Sequence, residues 1–142
     1  MDRLVKIGVI APQRESEWAS PSFIMPKKDG TVRFLGDFRE LNKRLIRTPY
    51  PLHKVKDMLE DCEGFTYATA LDLNMGYCTI RLDPMAQKIC TIIFPWGKYS
   101  FLRLPMGVAG APDIFQSKIS GLMEGLMYVK AYIDDLLVLT KG

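Results

Sequence analysis

The chain has 142 residues, 48% of them apolar and 25% charged, which is one domain's length with enough apolar content for its own core. Cys62, Cys78 and Cys90 form no C-x-x-C pair and His53 is the single histidine, so the composition argues against a zinc site. The net charge of +3 is unevenly spread: nine basic residues face three acidic ones between residues 26 and 56, a local excess of +6 that leaves the rest at −3.

Such clustering suits phosphates, although a solvated basic face is the plainer reading. No apolar run approaches the length of a membrane span, and Met1-Asp2-Arg3-Leu4-Val5-Lys6 lacks the apolar core of a secretory leader. The expectation is a soluble intracellular protein with free thiols and no membrane partner.

In chain order, residues 3–10 read as the end of a helix closed by Gly8. Residues 22–27 and 31–35 flank Lys28-Asp29-Gly30, and Asp-Gly between strand-like runs is a strong hairpin signal; the arms carry Lys27 and Arg33. Tyr50-Pro51 opens a predicted helix with Leu52, Val55, Leu59 and Cys62 at helical spacing and Gly64 at its end. Residues 65–73 read as a strand. After Asp83-Pro84, residues 90–94 and 99–104 flank Pro95-Trp96-Gly97-Lys98 as a second hairpin. A Gly/Pro-punctuated loop at 105–112 leads to an amphipathic helix at 112–126, with Phe115, Ile119, Leu122, Met123 and Leu126 at helical spacing, and then to a third hairpin at 128–139. Strands and helices mixed without regular βαβ alternation indicate an α+β fold.

The third hairpin holds the least expected residues. Tyr132-Ile133-Asp134-Asp135 sets two adjacent carboxylates between apolar runs, where burying charge is costly unless a cation or donors compensate. Upstream, Ala70-Leu71-Asp72-Leu73 sets a third in another apolar run that ends at the turn signal Asn74-Met75-Gly76, and the two segments are candidates for neighbouring strands. Spacing alone leaves two readings open. Either these are solvated Asp residues in turns, where Asp is common, or they are oxygen ligands for Mg²⁺, which is held by one or two carboxylates plus substrate phosphates. Two such ions clamp the attacking and leaving oxygens of a phosphoryl transfer.

Read together, several segments resemble the reverse transcriptases of retroviruses and long-terminal-repeat retrotransposons, most closely the gypsy class. They are Ser20-Pro21, Lys27-Lys28-Asp29-Gly30-Thr31-Val32-Arg33-Phe34, Asp37-Phe38-Arg39-Glu40-Leu41-Asn42-Lys43, Tyr50-Pro51-Leu52, Leu71-Asp72-Leu73-Asn74-Met75-Gly76-Tyr77, Phe94-Pro95-Trp96-Gly97, Leu104-Pro105-Met106-Gly107, Ala111-Pro112-Asp113-Ile114-Phe115-Gln116 and Tyr132-Ile133-Asp134-Asp135. The resemblance covers essentially the whole chain and follows the family's order.

It implies a right-hand RNA-directed DNA polymerase, with fingers at about 1–50 and 79–108, palm at about 51–78 and 109–142, an antiparallel palm sheet packed on helices, and the thumb absent. By motif position, Asp72, Asp134 and Asp135 are the carboxylates of a site for two Mg²⁺ ions, for which Mn²⁺ can substitute. Lys27 and Arg33 grip the triphosphate. Tyr77 is a steric gate beneath the incoming sugar, with core packing as the alternative. Met106 and Gly107 contact nucleotide and template, Met106 by apolar contact where some relatives have Gln. Arg39 and Asn42 stabilise the fingers and touch template, while Asp37 could pair with Arg39 and do nothing else. The partners so implied are an RNA or DNA template with its primer and deoxynucleoside triphosphates, in the cytoplasm, the nucleus or a retroelement particle.

Three departures stand out: Gly36 where relatives carry a branched apolar residue, Cys78-Thr79 after Tyr77, and Gly110 where Asn or Ser is common. The chain also stops just past the Asp-Asp hairpin, which is expected to leave Leu137, Leu139 and an open sheet edge exposed, inviting self-association. The competing reading is a catalytically inactive remnant that binds nucleic acid through the basic segment, or a partner protein through that edge.

Overall fold

The structure is a computed structural model that describes residues 1–60 and 62–141. In chain order its elements are α1 (Asp2–Lys6), β1 (Ile10–Pro12), β2 (Ser20–Pro26), β3 (Val32–Gly36), α2 (Arg39–Asn42), α3 (Val55–Glu60), β4 (Tyr67–Asp72), a 3₁₀ turn (Gly76–Thr79), α4 (Pro84–Ile89), β5 (Thr91–Phe94), β6 (Gly97–Phe101), α5 (Ala111–Leu122), β7 (Val129–Tyr132) and β8 (Asp135–Thr140). The fold is α+β, and the chain divides into two compact units. No helix among the described residues is long and apolar enough to cross a membrane, and the three cysteines are unpaired.

The first unit comprises Met1–Arg47 and Tyr77–Ala111. Its five-stranded sheet runs β1-β6-β5-β2-β3, antiparallel except for the parallel pair β2 and β5. The Asp-Gly signal works as expected: β2 and β3 pair from Ser22↔Gly36 to Pro26↔Val32, Gly30 supplies a φ of +80°, and the Asp29 carboxylate accepts from the Thr31 N–H at 2.9 Å and hydroxyl at 2.6 Å. The second hairpin closes tightly at Pro95-Trp96, with Phe94 opposite Gly97. Phe38, Leu41, Cys90, Ile92, Phe94, Leu104, Val108 and Ala111 form the core. Gly36 has a packing reason, since a β-carbon there would lie 2.7 Å from the Phe38 ring and 2.8 Å from Ile92.

Helix α4 was not evident in the sequence reading, although its start carries a strong signal. The Asp83 carboxylate accepts from the Ala86 N–H at 2.8 Å, and Pro84 occupies the first turn, where no amide is needed.

The second unit comprises Thr48–Gly76 and Pro112–Gly142. Its antiparallel sheet runs β4-β8-β7. Three expectations need correction here. The helix predicted from Tyr50-Pro51 begins only at Val55; Tyr50 itself is held to α5, its N–H donating to the Asp113 carboxylate at 3.1 Å. The helix predicted to reach residue 126 ends at Leu122 in turns around Gly125, whose φ is +87°. Finally, β8 is the central strand, so Leu139 is buried and Leu137 half-buried rather than exposed. The open edge lies instead along β4, where every residue is exposed.

Candidate active site

β4 ends on Asp72 and β8 begins on Asp135, and the register sets the two directly opposite each other. The same register pairs Leu71 with Leu136 and Ala70 with Leu137, so apolar residues on both strands fix where the carboxylates meet. Asp134 lies in the two-residue turn Ile133-Asp134 that joins β7 to β8, flanked by the pair Tyr132↔Asp135. Ile133 takes φ +51°. Two-residue hairpins call for a positive φ at this place, yet for an L side chain the left-handed region costs about 1–2 kcal/mol.

Neighbouring bonds offset that cost. Gln116 of α5 is buried; its Oε1 accepts from the Ile133 N–H at 2.6 Å, and its Nε2 donates to the Ala131 carbonyl at 3.0 Å and the Ser120 hydroxyl at 3.2 Å. From the other side, the Leu73 N–H donates to the Asp134 carbonyl at 2.8 Å.

Oδ1 of Asp134 is shut off from water and has no hydrogen-bond partner among the described residues. Burial pushes the Asp134 pKa up from its ordinary value, and the nearby charges of Asp72 and then Asp135 push it further. Gly76 forms the adjoining wall: a β-carbon there would lie 2.8 Å from the Phe115 ring and 2.9 Å from Asp134 Oδ1.

These donors suit a hard divalent cation, since they are all oxygens and one is desolvated with nothing to neutralise it. Among the described residues, no group of three or more His, Cys, Asp or Glu side chains is gathered as a ready metal cage. Mg²⁺ seldom uses such a cage, because it keeps waters and takes substrate phosphates at its remaining positions.

The remaining candidates lie in the first unit. Lys27 and Arg33 are exposed at the end of the β2–β3 hairpin, where the Lys27 charge, after the bonds from Thr31, helps to lower the pKa of Asp29. Arg39 turns back on Asp37, its Nη2 2.6 Å from the Asp37 carboxylate, and those bonds lower the Asp37 pKa to about 2. Asn42 spends both ends of its amide on one loop: Nδ2 donates to the Gly107 carbonyl at 2.9 Å, and Oδ1 accepts from the Ala109 N–H at 2.7 Å. It thereby fixes the segment carrying exposed Met106 and Gly107, whose φ is +93°. Tyr77 is half-buried against the core.

Sequence reasoning assigned no role to Gln116 or Phe115 and treated Gly76 only as part of a turn. The available signal was a polar Gln beside Phe115 and three residues before Ile119, within the apolar pattern of α5.

Comparison with known proteins agrees with this architecture. The chain is 31% identical to the retrovirus-related Pol polyprotein of transposon 412 from Drosophila melanogaster over 98% of its own length and 12% of that protein. It is 32% identical to the Tf2-3 transposon polyprotein of Schizosaccharomyces pombe over 97% of its length and 10% of that protein. The chain thus spans about a tenth of these relatives. Among solved structures, the prototype foamy virus protease-reverse transcriptase superposes with a TM-score of 0.87 at 30% identity, covering 96% of this chain and 18% of that one. A foamy viral protease-reverse transcriptase in complex with double-stranded DNA superposes with a TM-score of 0.90 at 25% identity, covering 99% of this chain and 25% of that one. Residues 25–142 match the family model described as reverse transcriptase (RNA-dependent DNA polymerase), and the chain belongs to that family.

Proposed function

We propose that this chain is the fingers and palm part of the RNA-directed DNA polymerase of a gypsy-type long-terminal-repeat retrotransposon, acting inside the cell on a primed RNA or DNA template. The observation that carries this reading is the desolvated, unpartnered Oδ1 of Asp134, set among Asp72 and Asp135 in a family member. Asp72, Asp134 and Asp135 would hold two Mg²⁺ ions, or Mn²⁺ in their place. When bound, such ions supply charge neutralisation for the triphosphate and for the attacking 3′-oxygen of the primer.

The protein's own share is positioning. Lys27 and Arg33 bind the triphosphate as mobile cations on a hairpin. Tyr77 excludes a ribose 2′-hydroxyl by its bulk. Met106 offers apolar contact to nucleotide and template, and Asn42 holds its loop in shape through the bonds to residues 107 and 109. Arg39 touches template, its guanidinium being largely exposed even while paired. The double-stranded DNA bound by the foamy viral relative supports a duplex partner for this chain.

The test is primer extension on an RNA template with Mg²⁺ or Mn²⁺, comparing the chain with its Asp134→Asn variant, with binding of the template-primer and Tm measured alongside. Incorporation by the parent, lost in the variant while duplex binding persists, is expected. Binding retained equally by both proteins with no incorporation by either would leave a nucleic-acid-binding module, as the +6 segment at 26–56 allows.

A further inference from the structure

We propose that Gln116 is a positioning residue that sets the Asp134 carboxylate by holding Ile133 in its left-handed conformation. The proposal concerns the site described above and rests on that reading for its link to catalysis. Three observations carry it. Ile133, a β-branched residue, sits at φ +51°, a conformation it would leave if released. Its N–H donates to Gln116 Oε1 at 2.6 Å. Gln116 Nε2 grips the Ala131 carbonyl at 3.0 Å, so one buried amide binds the backbone on both sides of Tyr132, immediately before the turn.

Because the Asp134 carbonyl is separately tied to the Leu73 N–H at 2.8 Å, only the Ile133 side of the turn depends on Gln116. Loss of the carboxamide frees Ile133 to return to negative φ. The peptide leading into Asp134 then rotates, and its carboxylate departs from the wall formed by Gly76 and Phe115. Gln116 need not touch substrate or metal to act in this way.

The experiment uses the 142-residue chain, Gln116→Met, Ile133→Gly and the double variant. Methionine keeps the volume of the buried side chain and removes all three of its hydrogen bonds, the one to Ser120 included. Glycine adopts positive φ without strain. In the parent, the Ile133 amide should exchange with solvent as slowly as the β8 amides despite lying at a hairpin tip. In Gln116→Met it should exchange about tenfold faster, corresponding to one lost hydrogen bond, with β8 protection unchanged. Nucleotide incorporation should fall at least tenfold in Gln116→Met and recover in the double variant, because glycine needs no clamp.

A fast-exchanging Ile133 amide in the parent overturns the proposal and requires no variant to fold. So does a double variant no more active than Gln116→Met. If the parent incorporates nothing, the catalytic reading fails on its own account, and the exchange of Ile133 still decides whether Gln116 holds the turn.

Discussion

At Asp134 a carboxylate oxygen is buried against the interest of the fold, and the proposed chemistry is what would require it there. An oxygen kept from water without a donor costs about 1–3 kcal/mol, and two neighbouring carboxylates add to the repulsion. Asp134→Asn should therefore raise Tm by roughly 2–6 °C for a domain of this size while abolishing incorporation; a lowered Tm would mean the charge has a partner. Gly76→Ala acts on the same place from the wall side. Its β-carbon would strike the Phe115 ring and the Asp134 carboxylate, so urea unfolding should show a loss of about 1–3 kcal/mol, the usual cost of overpacking. Asp37 gives a pH signature. Its pKa is held to about 2 against an ordinary 3.8 by its bonds to Arg39, so the pairing stabilises above about pH 4 and is lost as pH falls towards 2. Asp37→Asn should melt slightly below the parent at neutral pH, with the gap closing between about pH 4 and 2 in thermal melts. The three carboxylates stood out because they interrupt apolar runs, and only the family resemblance, not their spacing, gave them a role. Gln116 did not stand out, because a Gln in a helix reveals nothing of the strand whose amides it binds.

Elements were legible where the signal is local. Asp29-Gly30 between strand-like runs fixed the first hairpin, and the apolar runs around Asp134 fixed the third. The reading failed at the start of α3: helical spacing after Pro51 does not become helix until Val55, and the Tyr50 amide is held by Asp113, far along the chain. The exposure expected of Leu137 and Leu139 failed for another reason: β4, expected beside this hairpin, pairs along β8 and makes it the central strand. Gly36 shows a local rule overridden by packing. Glycine weakens a strand in isolation, yet here it makes room for the Phe38 ring and Ile92. Gly36→Ala should consequently destabilise by about 1–3 kcal/mol in urea, as overpacking does. A neutral or stabilising effect would show that strand propensity outweighs the contact.

On the scale of the whole molecule, the α+β class followed from composition and the mixture of periodicities, whereas the strand order β1-β6-β5-β2-β3, with its parallel β2–β5 pair, had no trace in sequence spacing. Long-range pairings of this kind are decided by which apolar faces must be buried together. The chain spans about a tenth of its transposon relatives, and along β4 both faces of the strand stand open. Within the second unit the register of β4 with β8 nevertheless sets Asp72 opposite Asp135, and Asp134 lies in the adjoining turn, where Gln116 accepts from the Ile133 N–H. Whether the carboxylates form one metal centre is answered most directly by crystals of the chain grown with Mn²⁺ and a deoxynucleoside triphosphate, read by anomalous scattering. The expected result is a Mn²⁺ peak about 2.0–2.5 Å from carboxylate oxygens of both Asp72 and Asp134. Ordered Mn²⁺ only elsewhere, with these oxygens bare, would contradict the account.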